Sequence, residues 1–131
     1  MKRIACAAVS AVLLAIASVA LAAGKGELDG KVFAVALAEK ANAAKSDNDT
    51  LTFQGGTFRS SGCDQYGFGA ASYTTSKAGD VITFESTATS PKEGTMIWKG
   101  TVKGNAVEGT ALWQKKGQAD IAYVFKGTLK T

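Results

Sequence analysis

The side chains that carry out most enzyme chemistry are scarce in this sequence. None of its 131 residues is a histidine, which excludes Ser-His-Asp and Cys-His catalytic groups and any zinc site built on imidazole. Paired carboxylates could still act as a general acid and a general base. The acids that could form such a pair are scattered over predicted loops and polar strand faces, as solvated acids usually are: Asp64, Glu85, Glu93 and Asp120. We therefore predict that the protein is not an enzyme and uses no cofactor.

Asp47 and Asp49 are spaced like the first ligands of a calcium-binding loop. Leu51 occupies the next ligand position, however, and no glutamate stands at the twelfth. The pattern is more typical of a solvated polar loop, which we predict for residues 45–49. We accordingly expect no metal site.

The segment Ser61–Gly69 combines a thiol with two aromatic rings. It contains Cys63, Asp64, Tyr66 and Phe68 among several glycines, and it interrupts the alternating pattern on either side, which predicts a loop. The thiol and the rings could be exposed as an interaction surface, or they could fold inward as a plug. The sequence favours the plug, because an exposed lone thiol tends to be captured or oxidised.

The amino-terminal stretch has the pattern of an export signal. The basic pair Lys2-Arg3 precedes an apolar run from Ile4 to Ala23, and the small residues Ala20 and Ala22 suit a signal peptidase. We predict a signal peptide over residues 1–22, cleaved after Ala22. The run is also long enough for an uncleaved membrane anchor, but no stable membrane span would remain after cleavage.

The mature chain, residues 23–131, is short enough to form a single domain. Cleavage removes Cys6, so Cys63 cannot form an internal disulfide, and we expect a periplasmic or secreted monomer, with a Cys63-linked dimer as the alternative. Cleavage also lowers the basic residues from 15 to 13, against 11 acids. This near balance, and the lack of a basic run interleaved with aromatics, predicts no nucleic-acid partner.

The clearest strand pattern lies between Gly94 and Thr131. Apolar residues alternate from Met96 to Val102, and Gly104-Asn105 then supplies a two-residue hairpin turn. Counting outward from this turn fixes the register, and a one-residue slip would turn both tryptophans outward. The predicted inward pairs are Val102 with Val107, Gly100 with Gly109, Trp98 with Ala111, and Met96 with Trp113. A third strand, Asp120–Lys130, adds Phe125 beside Gly109 and Tyr123 beside Ala111.

Three glycines, Gly100, Gly109 and Gly127, share the inner face of these strands. Glycine weakens a strand, so their presence needs a reason. Strong coiling of a closing barrel is the structural reason, and room for a ligand beneath the inward aromatic rings is the functional one. The candidate ligand-binding residues are Trp98, Trp113, Tyr123, Phe125 and Tyr73.

The first half of the mature chain predicts further antiparallel strands. Strands are expected near 30–38, 50–54, 70–75 and 81–89, whereas the alanine-rich segment 36–44 fits either a strand or a helix. Gly55-Gly56 is a turn that sets Phe53 opposite Phe58 and Leu51 opposite Ser60. A turn at Ala78-Gly79 would set Ile82 opposite Thr75 and Phe84 opposite Tyr73. With eight strands joined by short hairpins, we predict an all-β, eight-stranded antiparallel up-and-down barrel in which the last strand pairs with the first.

Several small β proteins of the bacterial envelope share features with this chain. The meander around Trp98, Trp113 and Phe125 resembles lipocalin-like barrels, although Gly30-Lys31-Val32 stands where a lipocalin has Gly-X-Trp. Residues 51–53, 61–64 and Tyr73 are similar to the first half of META domains. The loop at Ser61-Gly62 resembles that of the periplasmic lysozyme inhibitors, but Tyr66 lies one residue farther along.

Two functions follow from these patterns as expectations. The first is an exported binding module whose barrel holds a small apolar or aromatic ligand. The alternative is a protein-interaction or inhibitor-type role, in which the loop Ser61–Gly69 contacts an envelope protein.

Overall fold

The computed structural model describes residues 26–130, which form an antiparallel barrel closed by eight strands. The predicted signal peptide and its cleavage site lie outside the described residues. The strands are β1 (Val32–Glu39), β2 (Ser46–Gln54), β3 (Thr57–Ser60), β4 (Ala71–Ala78), β5 (Val81–Ser90), β6 (Gly94–Lys103), β7 (Ala106–Gln114) and β8 (Ile121–Leu129). A 3₁₀ turn, Lys40–Asn42, follows β1, and one helical turn, α1 (Ser61–Asp64), follows β3.

Each strand pairs with its neighbours in sequence, and β8 returns to β1, which confirms the predicted up-and-down barrel. The register of the carboxy-terminal strands is also as predicted, with Trp98 opposite Ala111 and Tyr123 beside Ala111. Phe53 faces Phe58 across the Gly55-Gly56 turn. Trp98 and Tyr123 thus each face the small Ala111, whereas Phe53 and Phe58 bring two large rings together.

Three predictions about the first half are wrong or incomplete. In the β4–β5 hairpin, Gly79 has φ +62° and forms the turn with Asp80, so Ala78 pairs with Val81 and Phe84 faces Thr75 instead of Tyr73. The segment predicted as a polar loop, residues 45–49, belongs to β2 from Ser46 onward because its backbone pairs with β1. The ambiguous segment 36–44 is strand as far as Glu39 and then a 3₁₀ turn.

The two ends of the barrel differ in how the strands are connected. Two-residue turns at Gly55-Gly56, Gly79-Asp80 and Gly104-Asn105 lie at one end, together with residues 26–31 that precede β1. Leu28 is fully buried at this end, which we call the closed end. The longer connections, including α1, lie at the other end, which we call the open end.

The closed end is held by hydrogen bonds between the segment before β1 and the neighbouring strands. Tyr73 Oη donates to Asp29 Oδ1 at 2.8 Å and accepts from the Leu28 amide at 3.0 Å. Asp29 in turn accepts from the Gly56 amide at 3.1 Å. These bonds satisfy polar groups that would otherwise be buried without partners, and they hold Leu28 against the core.

Aromatic rings fill the middle of the barrel. Ring centroids lie 5.0 Å apart for Phe58 and Trp98, 5.0 Å for Phe53 and Phe84, and 5.5 Å for Trp98 and Phe125. The inner glycines make room for this layer, since a Cβ on Gly100 would lie 2.7 Å from the Phe84 ring. The inner glycines are therefore needed for the close packing of the barrel interior, in agreement with the structural explanation and not with room for a ligand.

No helix within residues 26–130 is both long and apolar enough to cross a membrane.

Candidate functional site

A cavity of about 410 Å³ lies at the open end of the barrel. The ends of β1, β2, β6, β7 and β8 form its wall, and the segment Ser61–Gly69 lies over one side. Apolar side chains contribute most of its lining. The lining residues are Leu37, Asp47, Asn48, Asp49, Gly62, Cys63, Gln65, Tyr66, Phe68, Glu93, Met96, Trp113 and Tyr123.

The structure separates the five candidate ligand-binding aromatics into two groups. Trp98, Phe125 and Tyr73 belong to the packed core, and Trp98 is only 1% exposed. Trp113 and Tyr123 are partly buried and line the cavity. Space for a ligand is therefore not beneath Trp98, as the inner glycines had suggested, but one layer closer to the open end.

Trp113 is held in place at the rim of the cavity. Its indole Nε1 donates to the carbonyl oxygen of Glu93 at 2.6 Å. The Glu93 carboxylate also pairs with the Lys115 ammonium at 2.8 Å, and that ammonium lies 6.0 Å from the centre of the Trp113 ring. A carboxylate and an indole face thus bind the same positive charge.

Tyr123 lines the cavity from β8, the strand adjacent to the β7 strand of Trp113. Burial is the main reason that the pKa of its phenol is raised, and the negative charge of Glu39 raises the pKa further. The phenol is therefore protonated at neutral pH, so it can donate a hydrogen bond into the cavity.

The segment Ser61–Gly69 is not a uniform plug. Cys63 is 8% exposed and Phe68 is 6% exposed, so both fold inward, whereas Tyr66 is 54% exposed. The segment is attached to the end of β5, because Ser90 Oγ donates to the carbonyl oxygen of Tyr66 at 2.7 Å. One segment therefore contributes both to the cavity wall and to the outer surface.

Asp64 is partly buried and does not line the cavity. Its Oδ2 accepts from Arg59 Nε at 2.8 Å, and the arginine is well exposed. An exposed ion pair of this kind contributes little to stability but orients the two side chains.

Asp49 is predicted from the sequence to lie in a solvated polar loop, but it is buried in β2 and has a structural role that the sequence did not predict. It is 6% exposed, and its Oδ1 accepts from the amides of Thr50 and Gly62 at 2.7 Å each and from Ser61 Oγ at 2.9 Å. Ser60 Oγ donates to its other oxygen, Oδ2. One carboxylate thus joins β2 to α1 and positions the wall that contains Cys63. The signal was present in the sequence, because Asp49 is two residues before the inward Leu51 in the same alternation.

The thiol of Cys63 is poorly suited to nucleophilic chemistry. Burial raises its pKa, a hydrogen bond with Ser60 partly offsets this, and the negative charges of Asp49 and Asp64 raise the pKa again. A thiol reacts as its thiolate, so a raised pKa makes Cys63 less reactive at neutral pH than an exposed cysteine.

Within residues 26–130, no group of three or more cysteine and acidic side chains is close enough to hold a metal ion. Comparisons with protein-family models, curated proteins and solved structures found no match to this chain. The geometry of the cavity is therefore the basis for assigning a function.

Proposed function

We propose that the protein is an exported, non-enzymatic binding module that holds a small apolar or aromatic ligand at the open end of its barrel. The observation that carries the proposal is the cavity of about 410 Å³, whose wall includes Leu37, Met96 and Trp113. Its volume is within the range of small-molecule sites, and such sites combine apolar walls with a few polar groups.

The cavity has a rigid floor, which favours ligand binding over simple collapse. In the layer below it, the Trp98 ring contacts the rings of both Phe58 and Phe125. Leu37, Trp113 and Tyr123 pack against this core while remaining partly exposed to the cavity. A ligand would cover apolar surface that water now contacts, and this burial would drive binding.

Fluorescence of the neutral apolar probe N-phenyl-1-naphthylamine tests the proposal. The wild-type protein should bind the probe saturably at one site. Leu37→Glu, which places a charge on the cavity wall, should weaken binding by roughly tenfold or more, because a buried charge would lose its hydration. Leu129→Glu is the matched control, since Leu129 is also a partly buried inward leucine but lies on β8 at the closed end.

If the wild-type protein does not bind the probe, or if Leu37→Glu and Leu129→Glu weaken binding equally, the cavity is not the binding site. Circular dichroism of each variant would separate loss of the site from loss of the fold.

A protein-interaction role is the second candidate, and Tyr66 favours it. Tyr66 is the one large hydrophobic side chain that is exposed among the described residues. Exposed aromatic residues are common at the centres of protein interfaces. An envelope protein could therefore contact the outer side of Ser61–Gly69, as expected for an inhibitor-type protein.

Tyr66→Ala and Phe68→Ala distinguish this role from ligand binding. Under the interaction role, Tyr66→Ala should weaken binding to a partner purified with the protein and leave the melting temperature nearly unchanged. Phe68→Ala should instead lower stability, because Phe68 is buried. Normal partner binding by Tyr66→Ala would argue against the interaction role.

A further inference from the structure

The charged side chains that line the cavity all have the same sign. Asp47, Asp49 and Glu93 contribute to the lining, and the part of the chain that the structure describes places no lysine or arginine in it. Fixed charges of one sign in a concave, low-dielectric site attract ligands of the opposite sign. The mature chain as a whole carries slightly more basic than acidic residues, so this negative lining is a local property.

The negative charge in the cavity wall is only partly neutralised. Asp49 receives hydrogen bonds from two amides and two hydroxyls, all of them neutral donors. Neither Asp49 nor Asp47 forms an ion pair with a described lysine or arginine. A cation in the cavity would therefore be attracted by acids that lack a counter-ion.

An ammonium group is already bound at the rim. The Lys115 ammonium lies 2.8 Å from Glu93 Oε1 and 6.0 Å from the centre of the Trp113 ring. Carboxylates and indole faces are the groups that bind ammonium ions in aromatic sites. The rim can thus bind this chemical group, and the Lys115 side chain occupies the position.

We propose that the cavity selects ligands in which an apolar body carries an ammonium-type positive charge; this inference rests on the ligand-binding function proposed above. The body packs on Leu37, Met96 and Tyr123. The cationic head lies toward Asp47, or displaces the Lys115 ammonium from Glu93 and Trp113. Near Asp47 the head exchanges water for a carboxylate, and beside Trp113 it takes the place of the Lys115 ammonium on the Glu93 carboxylate and the aromatic face.

Calorimetric titration with three probes of nearly equal size tests this selectivity: 4-phenylbutylamine, 4-phenylbutanol and 4-phenylbutyrate. At low ionic strength and neutral pH, the amine should bind roughly five- to tenfold more tightly than the alcohol, and the carboxylate more weakly than both. The preference should decrease as salt is added, because mobile ions screen the acids.

Two variants change the preference in opposite directions. Asp47→Asn should lower the ratio of amine to alcohol affinity several-fold, because it removes an acid from the lining. Lys115→Met should raise affinity for the amine, because it frees Glu93 and the Trp113 ring. Asp80→Asn, in the turn between β4 and β5 at the closed end, is the control and should leave the ratio unchanged.

The outcomes separate this inference from the function on which it rests. Equal affinity for the amine and the alcohol would overturn the cation preference and leave ligand binding intact. Tightest binding of the carboxylate would overturn the preference directly. If no probe binds the folded protein, ligand binding at the cavity is itself wrong, and the inference fails with it.

Discussion

Trp98 and Trp113 both point into the barrel from adjacent strands, yet of the two only Trp113 borders the cavity. Trp98 is opposite Ala111 in the packed layer, and Trp113 is opposite Met96 one step closer to the open end. The two residues differ in exposure because the ring layer ends between them. Trp98 is surrounded by rings, whereas Trp113 borders the cavity and binds Glu93.

Trp98→Ala should lower the free energy of unfolding by roughly 3 to 5 kcal/mol, because it removes a large buried side chain from a rigid layer. Lys99→Ala should change it by no more than about 0.5 kcal/mol, because Lys99 is exposed on the outer face. Denaturant unfolding of both variants measures the difference. Equal effects would mean that the inward and outward faces of β6 are wrongly assigned.

Cys63 should react with a thiol reagent such as Ellman's reagent at least about tenfold more slowly in the folded protein than in denaturant, because the thiol is buried and its pKa is raised. The folded protein should also stay monomeric on a nonreducing gel. Rapid reaction in the folded state, or a disulfide-linked dimer, would show that Ser61–Gly69 opens in solution.

Tyr73 should make stability depend on pH in the alkaline range. The pKa of Tyr73 is raised from 10.0 to about 12. Burial makes the largest contribution to this rise, and the hydrogen bond to Asp29 makes the next largest. The folded protein thus holds the phenol proton more tightly than the unfolded chain does. The resulting stability is complete below pH 10.0 and is lost as the pH rises through about 12.

The size of this loss should be on the order of 2 kcal/mol. Tyr73→Phe is the matched control, because it keeps the ring in the core but has no proton to titrate. The free energy of unfolding should therefore fall more steeply for the wild type than for Tyr73→Phe over this range. Parallel curves for the two proteins would contradict a raised pKa at Tyr73.

At the scale of strands, the inner glycines control how closely neighbouring strands can coil. A Cβ on Gly127 would overlap the carbonyl oxygen of Ala34 in the adjacent strand β1. A Cβ on Gly100 meets the Phe84 ring first, at 2.7 Å. The nearest obstacle at Gly127 is backbone at overlapping distance, whereas at Gly100 it is a side chain, with the nearest backbone atom, the Glu108 carbonyl oxygen, 3.0 Å away.

Gly127→Ala should therefore lower the free energy of unfolding by about 3 kcal/mol or prevent folding, whereas Gly100→Ala should cost less, about 1 to 2 kcal/mol. Thermal or denaturant unfolding of the two variants tests the order. A smaller cost for Gly127→Ala would show that β1 and β8 are not in close contact at this position.

The registers that the sequence predicts correctly belong to hairpins with a well-defined turn. Gly104-Asn105 and Gly55-Gly56 each leave one natural position for a two-residue turn, and the alternation of apolar residues on both sides agrees with it. In such a hairpin, the turn residues and the side-chain alternation predict the same register. The β6–β7 register could therefore be predicted from its turn, whereas the β7–β8 register, across a longer connection, follows from matching the inward faces of the two strands.

The β4–β5 hairpin could not be predicted in this way because its strands are polar. With Thr75, Ser76 and Lys77 before the turn, the side-chain pattern does not distinguish a turn at Ala78-Gly79 from one at Gly79-Asp80. Asp49 was missed for a different reason. An inward acid is acceptable only because donors from residues 60–62 surround it, and this contact depends on the tertiary fold.

At the scale of the whole molecule, the barrel is filled from the closed end and remains open at the other. Leu28 and the Tyr73–Asp29 hydrogen bond cover one end, while longer connections surround the cavity at the other. From the sequence, the barrel interior and the segment Ser61–Gly69 are two separate candidate sites. Cys63 and Phe68 line the same cavity as Trp113 and Tyr123, so part of each candidate set borders one cavity, while Trp98, Phe125 and Tyr73 stay in the core.

The indole N–H signals of Trp98 and Trp113 in a ¹H–¹⁵N NMR spectrum test the central claim most directly, because one tryptophan lies in the core and the other borders the cavity. Trp98→Phe and Trp113→Phe would assign the two signals. Upon titration with 4-phenylbutylamine, the Trp113 signal should shift saturably and the Trp98 signal should move much less. A larger shift for Trp98, or no shift in either signal at saturating probe, would contradict a ligand site at the open end.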